Sequence, residues 1–255
     1  MSDVFAIPSP KPAPVRLYCL PCAGGSAEMY RGWDALLPDW LGLWPLELPG
    51  RGKRFGEPLL NDATVLAGHL LDEVLNADDR PFALFGHSMG ALLAYEMACQ
   101  MEERGKPERL ALVTLSGREP PHLSPEAGRQ RHALPEAAFL DEVRRYGGLP
   151  AELEQSRELL QVFMPVLRND FALVDGYRFG REACLASPLF VVGGDDEPDF
   201  TPDELEQWQG YSRRWQGTAS FPGGHFYFND GPARTALMSA LRRQIAHRCE
   251  DLLAW

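Results

Sequence analysis

Short apolar runs alternate along this chain with stretches in which apolar residues recur at helical spacing. The candidate strands are the runs at 15–20, 43–48, 82–85, 110–115, 188–192 and 218–221. The candidate helices run from Ser26 to Leu37, from Asn61 or Asp62 to Val74, and over 88–104, 203–215 and 233–248. Strands that are apolar throughout and alternate with helices are typical of parallel sheets covered on both faces. The pattern therefore predicts an α/β fold, with a mainly parallel central sheet and helices on both of its faces.

One long segment interrupts this alternation. Residues 118–187 have helical spacing but no convincing strand, and Pro135, Pro150 and Pro165 divide them. Because a long insertion beside a functional site is often a lid, we expect a single domain over 15–255 with a helical lid insertion at 118–187. The four prolines within residues 1–14 predict a flexible, Pro-rich tail.

The charge balance excludes some classes of partner. The chain has 25 Lys and Arg against 36 Asp and Glu, a net charge of −11. Nucleic-acid binding depends on basic side chains that neutralise phosphates, so we expect neither a nucleic-acid nor an anionic-membrane partner. No apolar stretch is long enough to cross a bilayer, and the N-terminus does not have the pattern of a signal peptide. Five irregularly spaced cysteines suit a reducing compartment, so the protein is expected in the cytoplasm.

A candidate nucleophile follows the strand predicted at 82–85. Residues 86–90, Gly-His-Ser-Met-Gly, have the pattern G-x-S-x-G and lead into a long helical stretch. At such a corner the serine is strained and exposed, and the two glycines let neighbouring backbone pass. The helix N-terminus behind the serine presents free N–H groups to a developing oxyanion. We expect Ser88 to be the nucleophile and the adjacent His87 to be structural.

The partners of a serine on this kind of sheet follow it in the order acid, then histidine, on loops after later strands. His225 follows the run at 218–221 and is the histidine in the required place. The acidic loop after 188–192 offers both Asp195 and Asp196. Since only one carboxylate can hold the imidazole, the spacing leaves the choice between the two open.

The second group of candidates lies in the loop after the first strand. The backbone N–H groups of Ala23 and Met89 are candidate oxyanion donors, and Gly24 and Gly25 would let a substrate approach closely. The alternative interpretation of this loop is an ordinary turn between a strand and a helix.

The hypotheses of a redox site, a metal site or a bound dinucleotide have less support than that of a serine nucleophile. Cys19 and Cys22 form a C-x-x-C pattern, but Cys19 lies inside an apolar strand, which favours burial over redox chemistry. There is no second cysteine pair and no H-E-x-x-H, so we expect no metal site. The turn at Gly24 and Gly25 is not G-x-G-x-x-G, which argues against a dinucleotide. We expect no cofactor.

Six blocks of sequence resemble one known family in order and over nearly the whole chain. The blocks are LPCAGGS (20–26), ELPGRGKR (47–54), LFGHSMGALLAYE (84–96), VLRNDF (166–171), VGGDDEP (192–198) and FPGGHFYF (221–228). Together they look like the type II thioesterases of non-ribosomal peptide and polyketide synthesis. The resemblance implies an α/β-hydrolase fold with a mobile helical lid, a nucleophile at Ser88, a histidine at His225, and oxyanion amides at Ala23 and Met89. It favours Asp196 as the acid, as the fourth residue of a G-x-x-D turn. The family commonly has histidine or phenylalanine where this chain has Cys22, which puts the lining of the pocket in question.

The resemblance also implies an activity and a partner. Such enzymes hydrolyse acyl or aminoacyl thioesters on the phosphopantetheine arm of acyl- or peptidyl-carrier proteins and so edit misprimed or stalled synthases. The alternative is a generic carboxylesterase or lipase that acts on small oxyesters with the same triad. A catalytically idle binding module is a third reading, which the complete triad disfavours.

Carrier proteins are typically acidic, so an acidic enzyme would need a local basic surface to bind one. The candidates are Arg51, Lys53 and Arg54 in the loop at 51–60, and Arg144 and Arg145 in the insertion. A surface ion pair between Arg168 and Asp170 is also expected.

Overall fold

The computed structural model describes residues 12–77, 79–123, 129–149, 151–179 and 185–249. Its centre is a six-stranded sheet in the order β2-β1-β3-β4-β5-β6, and every neighbouring pair is parallel. The strands are β1 (Val15–Leu20), β2 (Leu41–Pro45), β3 (Phe82–His87), β4 (Leu110–Ser116), β5 (Leu185–Gly194) and β6 (Ser212–Phe221). The helices are α1 (Ala63–Ala77), α2 (Met89–Glu103), α3 (Glu136–Arg145), α4 (Ala151–Gln155), α5 (Arg157–Gly176), α6 (Pro202–Leu205) and α7 (Gly231–Arg248). The predicted α/β class and parallel sheet are confirmed.

Both faces of the sheet are buried along β1, β3 and β4, as the continuous apolar strands predict, whereas the edge strand β6 is partly exposed. In β1, Tyr18 and Leu20 pack with α1 and α2, while Leu17 and Cys19 pack with α7 on the opposite face. All four side chains are almost completely inaccessible to solvent. Because successive side chains of a strand point to opposite faces, such a strand is apolar at nearly every position. The exception in β1 is the buried Arg16, which lies over the ring of Trp44 and donates to the Tyr18 hydroxyl at 3.0 Å.

Two of the predicted helices are wrong. The segment from Ser26 to Leu37 forms two separate 3₁₀ turns, Ala27–Tyr30 and Asp34–Leu36, because Gly32 adopts a positive φ of 79° between them. The segment 203–215 contains only the short α6 and a 3₁₀ turn before β6 begins at Ser212. In both segments apolar side chains such as Trp33 and Trp208 are buried individually without a continuous helix, whereas Leu36 is exposed.

In the described part of the segment predicted as an insertion, the helices α3, α4 and α5 lie between β4 and β5. The helix α5 continues through Pro165, which was expected to divide it. Since β5 begins at Leu185, the last residues of the predicted insertion, 185–187, belong to the sheet. Phe139, Val143, Leu167 and Phe171 join the helices of this segment in a small apolar cluster. Its behaviour as a lid stays a prediction.

The ends of the chain are only partly described. Residues 1–11 of the predicted tail lie outside the described residues, whereas Ala13 is buried and its carbonyl accepts a hydrogen bond from Arg80 at 2.8 Å. Within the described ranges, no helix is both long enough and apolar enough to cross a membrane.

The start of α2 passes very close to the end of β1. A Cβ at Gly90 would overlap the carbonyl oxygen of Leu20, and a Cβ at Gly86 would overlap the carbonyl oxygen of Gly90. Both obstacles are backbone atoms, which cannot rotate away as a flexible side chain can. Only glycine therefore allows β3, α2 and β1 to meet at this corner.

We predict that Gly90→Ala destabilises the protein by about 3 kcal/mol or more, because relieving the overlap requires the backbone of α2 or β1 to move. The free energy of unfolding in urea measures this effect. The matched control is Gly210→Ala, since a Cβ at Gly210 meets no atom within 4 Å. It should change the stability by no more than about 0.5 kcal/mol. Equal effects of the two substitutions would contradict the close-packing argument.

Candidate active site

Ser88 lies at the corner between β3 and α2 in a conformation that side chains rarely adopt. Its φ is 56°, the one positive φ outside glycine in the described part of the chain. Such a conformation costs about 1–3 kcal/mol and persists only where the surroundings impose it. Here the Ser88 N–H donates to the Ser116 carbonyl at 2.8 Å. Gly86 and Gly90, two residues before and after Ser88, pack closely against neighbouring backbone. This is the geometry expected of a nucleophile at a G-x-S-x-G corner.

The imidazole of His225 is held by a glutamate. Its Nδ1 lies 2.9 Å from Oε2 of Glu197, and both side chains are buried, at 6% and 1% exposure. Ser88, Glu197 and His225 line one cavity of about 60 Å³. Since Nδ1 faces the carboxylate, Nε2 is the nitrogen left for a substrate or a serine hydroxyl. The prediction that Asp196 or Asp195 contacts this imidazole is therefore wrong.

The reason lies in how two loops pair. The N–H groups of Asp195 and Asp196 donate to the carbonyls of Phe221 and Gly223, at 2.8 and 3.0 Å. This pairing extends the contact between β5 and β6 beyond the strands and leaves both aspartate side chains exposed. The next side chain, that of Glu197, then points inward to the imidazole. The sequence does contain a signal for this residue, because Glu197 is the third acid of the run Asp195, Asp196, Glu197. The G-x-x-D spacing favoured Asp196 instead.

A glycine makes room for the longer acid and for His87. A Cβ at Gly117 would lie 2.7 Å from Cε1 of His87 and 3.2 Å from Oε1 of Glu197. Gly117 has a φ of 63° and follows β4, whose last residue, Ser116, carries the carbonyl that binds Ser88. One chain segment thus supports the serine and leaves space for the acid.

His87 is a buried neighbour of the candidate general base. Its ring centroid lies 4.6 Å from that of His225, and its Nδ1 is 3.0 Å from the Ser116 hydroxyl. Burial, and then the charge of His225, lower the pKa of His87 well below its ordinary value. A neutral His87 does not repel a positive charge on His225. The expectation that His87 is structural fits this position.

The two candidate oxyanion amides lie on the elements that meet at the corner. Met89 is the first residue of α2, so no carbonyl within the helix can accept its N–H. Ala23 lines the same cavity as Ser88. The loop that carries Ala23 is a tight turn, in which the Gly25 N–H donates to the Cys22 carbonyl at 2.9 Å. These positions fit the predicted role of both amides as oxyanion donors, and that role stays a prediction.

The cysteines near this loop are thiols. Cys19 and Cys22 are buried and free, and burial raises the pKa of Cys22 to about 12. A thiol with so high a pKa is a poor nucleophile, which argues against redox chemistry at C-x-x-C. In the ranges that the structure describes, no three His, Cys, Asp or Glu side chains are grouped to hold a metal.

Most of the predicted basic surface is already paired. Arg51 is buried and bound to Asp170, so neither the basic surface at Arg51 nor the surface pair of Arg168 with Asp170 is present. Arg54 contacts Glu57 and Glu73; Arg144 contacts Asp141 and Glu154; Arg145 contacts Asp199. Lys53 remains an exposed basic side chain of the loop at 51–60.

The parallel sheet and the serine corner after its third strand define a protein of the α/β-hydrolase fold. The chain belongs to the thioesterase family, because the family model described as "Thioesterase domain" matches residues 15–245. It is 38% identical over 222 residues to the Linear gramicidin dehydrogenase LgrE of Brevibacillus parabrevis, covering 85% of this chain and 83% of that one.

Solved structures agree with this assignment. The RedJ thioesterase from the prodiginine pathway of Streptomyces coelicolor is 35% identical, with a TM-score of 0.84 and 91% of each chain covered. The type II thioesterase BorB from the borrelidin biosynthetic cluster is 31% identical, with a TM-score of 0.83, covering 96% of this chain and 99% of that one.

We predict that Glu197→Gln lowers kcat about 10³–10⁴-fold, because the neutral amide no longer holds the imidazole or stabilises its positive charge. Asp196→Asn is the matched control, since it removes an exposed carboxylate from the same loop, and we expect kcat to change by less than about threefold. Steady-state hydrolysis of p-nitrophenyl acetate measures both. A large loss in Asp196→Asn with little loss in Glu197→Gln would restore the aspartate assignment.

The lowered pKa of His87 predicts a pH dependence of stability. As the pH falls below the ordinary value of about 6.5, the unfolded chain takes up a proton at His87 that the folded chain does not. Stability is therefore lost toward acid, with a slope of up to about 1.4 kcal/mol per pH unit from this group. His87→Gln should reduce that slope between pH 6.5 and 5, as followed by urea unfolding at several pH values. An unchanged slope would show that His87 is not responsible.

Proposed function

We propose that this chain is a type II thioesterase that hydrolyses acyl or aminoacyl thioesters from the phosphopantetheine arm of a carrier protein and so edits a non-ribosomal peptide or polyketide synthase. The observation that carries the proposal is the buried pair of His225 and Glu197 in one cavity with the strained Ser88, in a chain of the thioesterase family. Its free cysteines are compatible with work in the cytoplasm.

The chemistry follows from the geometry of these groups. Nε2 of His225 takes the proton of the Ser88 hydroxyl as the oxygen attacks the thioester carbonyl. The N–H groups of Ala23 and Met89 hold the oxyanion, while Glu197 stabilises the imidazolium. Collapse of the tetrahedral intermediate breaks the carbon–sulfur bond and releases the pantetheine thiol, which receives a proton from His225. Water, activated by the same imidazole, then attacks the acyl-serine and releases the free acid.

The cavities around the serine suit a substrate that extends to both sides of its carbonyl. Toward the loop with Ala23, the cavity of Ser88 adjoins one of about 510 Å³ that also contacts Phe226. On another side, at Arg118 and Glu119, it adjoins one of about 200 Å³. A carrier-bound thioester has an acyl chain on one side of the carbonyl and the pantetheine arm on the other, so it needs two such spaces.

Two other activities have less support. The name of LgrE describes that protein as a dehydrogenase. A dinucleotide-binding site in this chain is disfavoured, because the turn after β1 does not have the G-x-G-x-x-G pattern. A generic oxyesterase would use the same serine and histidine, so only the choice of substrate separates it from a thioesterase.

The test compares carrier-bound thioesters with simple oxyesters. We expect the protein to release acetyl, longer acyl and aminoacyl groups from loaded carrier proteins, and Ser88→Ala to reduce kcat by about 10⁵-fold or more. Mass spectrometry of the carrier protein reports the loss of the acyl group, and a Ser88→Ala sample with unchanged folding is the control. Fast turnover of small oxyesters with no release from any carrier protein would contradict the proposed function.

A further inference from the structure

Beneath the candidate oxyanion loop lies a buried ion pair that joins two distant segments. Nη1 and Nη2 of Arg51 donate to the two carboxylate oxygens of Asp170, at 2.5 and 2.8 Å. The side chains are only 8% and 2% exposed. Arg51 follows β2 in the chain, while Asp170 lies on α5, in the helical segment between β4 and β5.

Both members of the ion pair form hydrogen bonds to the backbone of the loop that carries Ala23. Oδ2 of Asp170 accepts the N–H of Gly24 at 2.7 Å, and Nη1 of Arg51 donates to the carbonyl of Gly25 at 3.1 Å. Gly24 has a φ of 71° at the third position of the turn from Cys22 to Gly25, which is the mark of a type II turn. In the alternative type I turn the central peptide is reversed, and the carbonyl of Ala23 would face the carboxylate. Asp170 therefore selects one orientation of the peptide between Ala23 and Gly24, and this peptide directly follows the one that carries the N–H of Ala23.

We propose that Asp170, with its charge neutralised by Arg51, is a positioning residue that holds the turn so that the N–H of Ala23 points at the oxyanion. This inference rests on the acyl transfer at Ser88 that the proposed function describes. Arg51 is needed for a second reason, since an unpaired carboxylate beside the oxyanion would oppose the negative charge that forms there.

The same helix makes two more contacts that strengthen this role. Leu167 packs against Gly24 so closely that a Cβ at that glycine would overlap its side chain. The amide nitrogen of Asn169 donates to the carbonyl of Leu60 at 2.9 Å. The helix α5 thus fixes both the turn and the segment that follows Arg51. A displacement of α5 would remove the acceptor of the Gly24 N–H, so this helix sets the geometry of catalysis as well as lining the cavity of Ser88.

Stability alone does not account for this arrangement. Replacing a buried ion pair by apolar residues of similar size is often neutral or stabilising, because burial costs about as much as the pairing returns. The loss of the pair should consequently appear in the rate more than in the stability. A purely structural role predicts the opposite.

The experiment compares two double variants that differ in one acceptor atom. Arg51→Met with Asp170→Leu removes both charges and leaves the N–H of Gly24 without an acceptor. Arg51→Met with Asp170→Asn has nearly the same shape but keeps an amide oxygen for that N–H. Because loss of one oxyanion donor costs about 10²–10³-fold in kcat, we expect the leucine variant to lose about 10–100-fold with KM nearly unchanged. The asparagine variant should recover most of that loss.

A second buried pair on α5 supplies the control. Asp175 binds Arg131 at 2.8 Å and is equally buried, but none of its hydrogen bonds reaches the turn from Cys22 to Gly25. Asp175→Ala should lower the stability and reduce kcat less than Asp170→Ala does, because only Asp170→Ala removes the acceptor of the Gly24 N–H. These single variants keep the test decisive if the leucine variant does not fold. Equal kcat in the two double variants, or equal kcat losses at Asp170 and Asp175, would overturn the proposal.

The choice of substrate separates this inference from the proposed function. All variants are assayed with p-nitrophenyl acetate, which uses the same serine and oxyanion donors, and with an acyl-carrier thioester. If only the oxyester is turned over, the thioesterase proposal fails while the oxyester rates still decide the role of Asp170. If both substrates are turned over and neither depends on Asp170, the positioning role fails alone.

Discussion

The whole site depends on one close approach of backbone, where the first turn of α2 meets the end of β1. Gly86 and Gly90 permit this contact, and any side chain there would overlap carbonyl oxygens. The approach forces Ser88 into its positive φ and brings the start of α2 beside the loop that carries Ala23. The strain of the serine is thus maintained by packing that cannot relax without separating a helix from the central sheet.

The remaining parts of the site are positioned by backbone contacts between loops at the same edge of the sheet. The carbonyl of Ser116 holds Ser88, and the loops after β5 and β6 are joined through Asp195 and Asp196. Because backbone hydrogen bonds join these loops, the side chains do not have to hold them together and can interact with each other, as Glu197 and His225 do. The helix α5 adds a contact from outside the sheet, through Asp170 and Arg51. The ends of β3, β4, β5 and β6, together with the distant helix α5, therefore position the site that contains Ser88, Glu197 and His225.

The positions of candidate groups that depend on local geometry could be predicted from the sequence. The sequence predicts the strained corner at Ser88 because a strand, two glycines and a helix are contiguous, and it predicts the place of His225 because this residue follows a strand in the expected order. Glu197 was missed because three consecutive acids are equivalent in one dimension. Which of them faces the imidazole depends on how the backbone of Asp195 and Asp196 pairs with a loop about thirty residues away in the chain.

The sequence by itself determined the strand and helix alternation, the buried parallel sheet and the corner at Ser88, because apolar periodicity and glycine placement are local properties. Only the tertiary structure decided the rest. It replaced the helix expected from Ser26 by two 3₁₀ turns, turned Glu197 inward, and buried Arg51 against Asp170. The two 3₁₀ turns follow from the local conformation of Gly32. The positions of Glu197 and Arg51 depend on contacts between segments far apart in the chain, and residue order alone does not specify the geometry of such contacts.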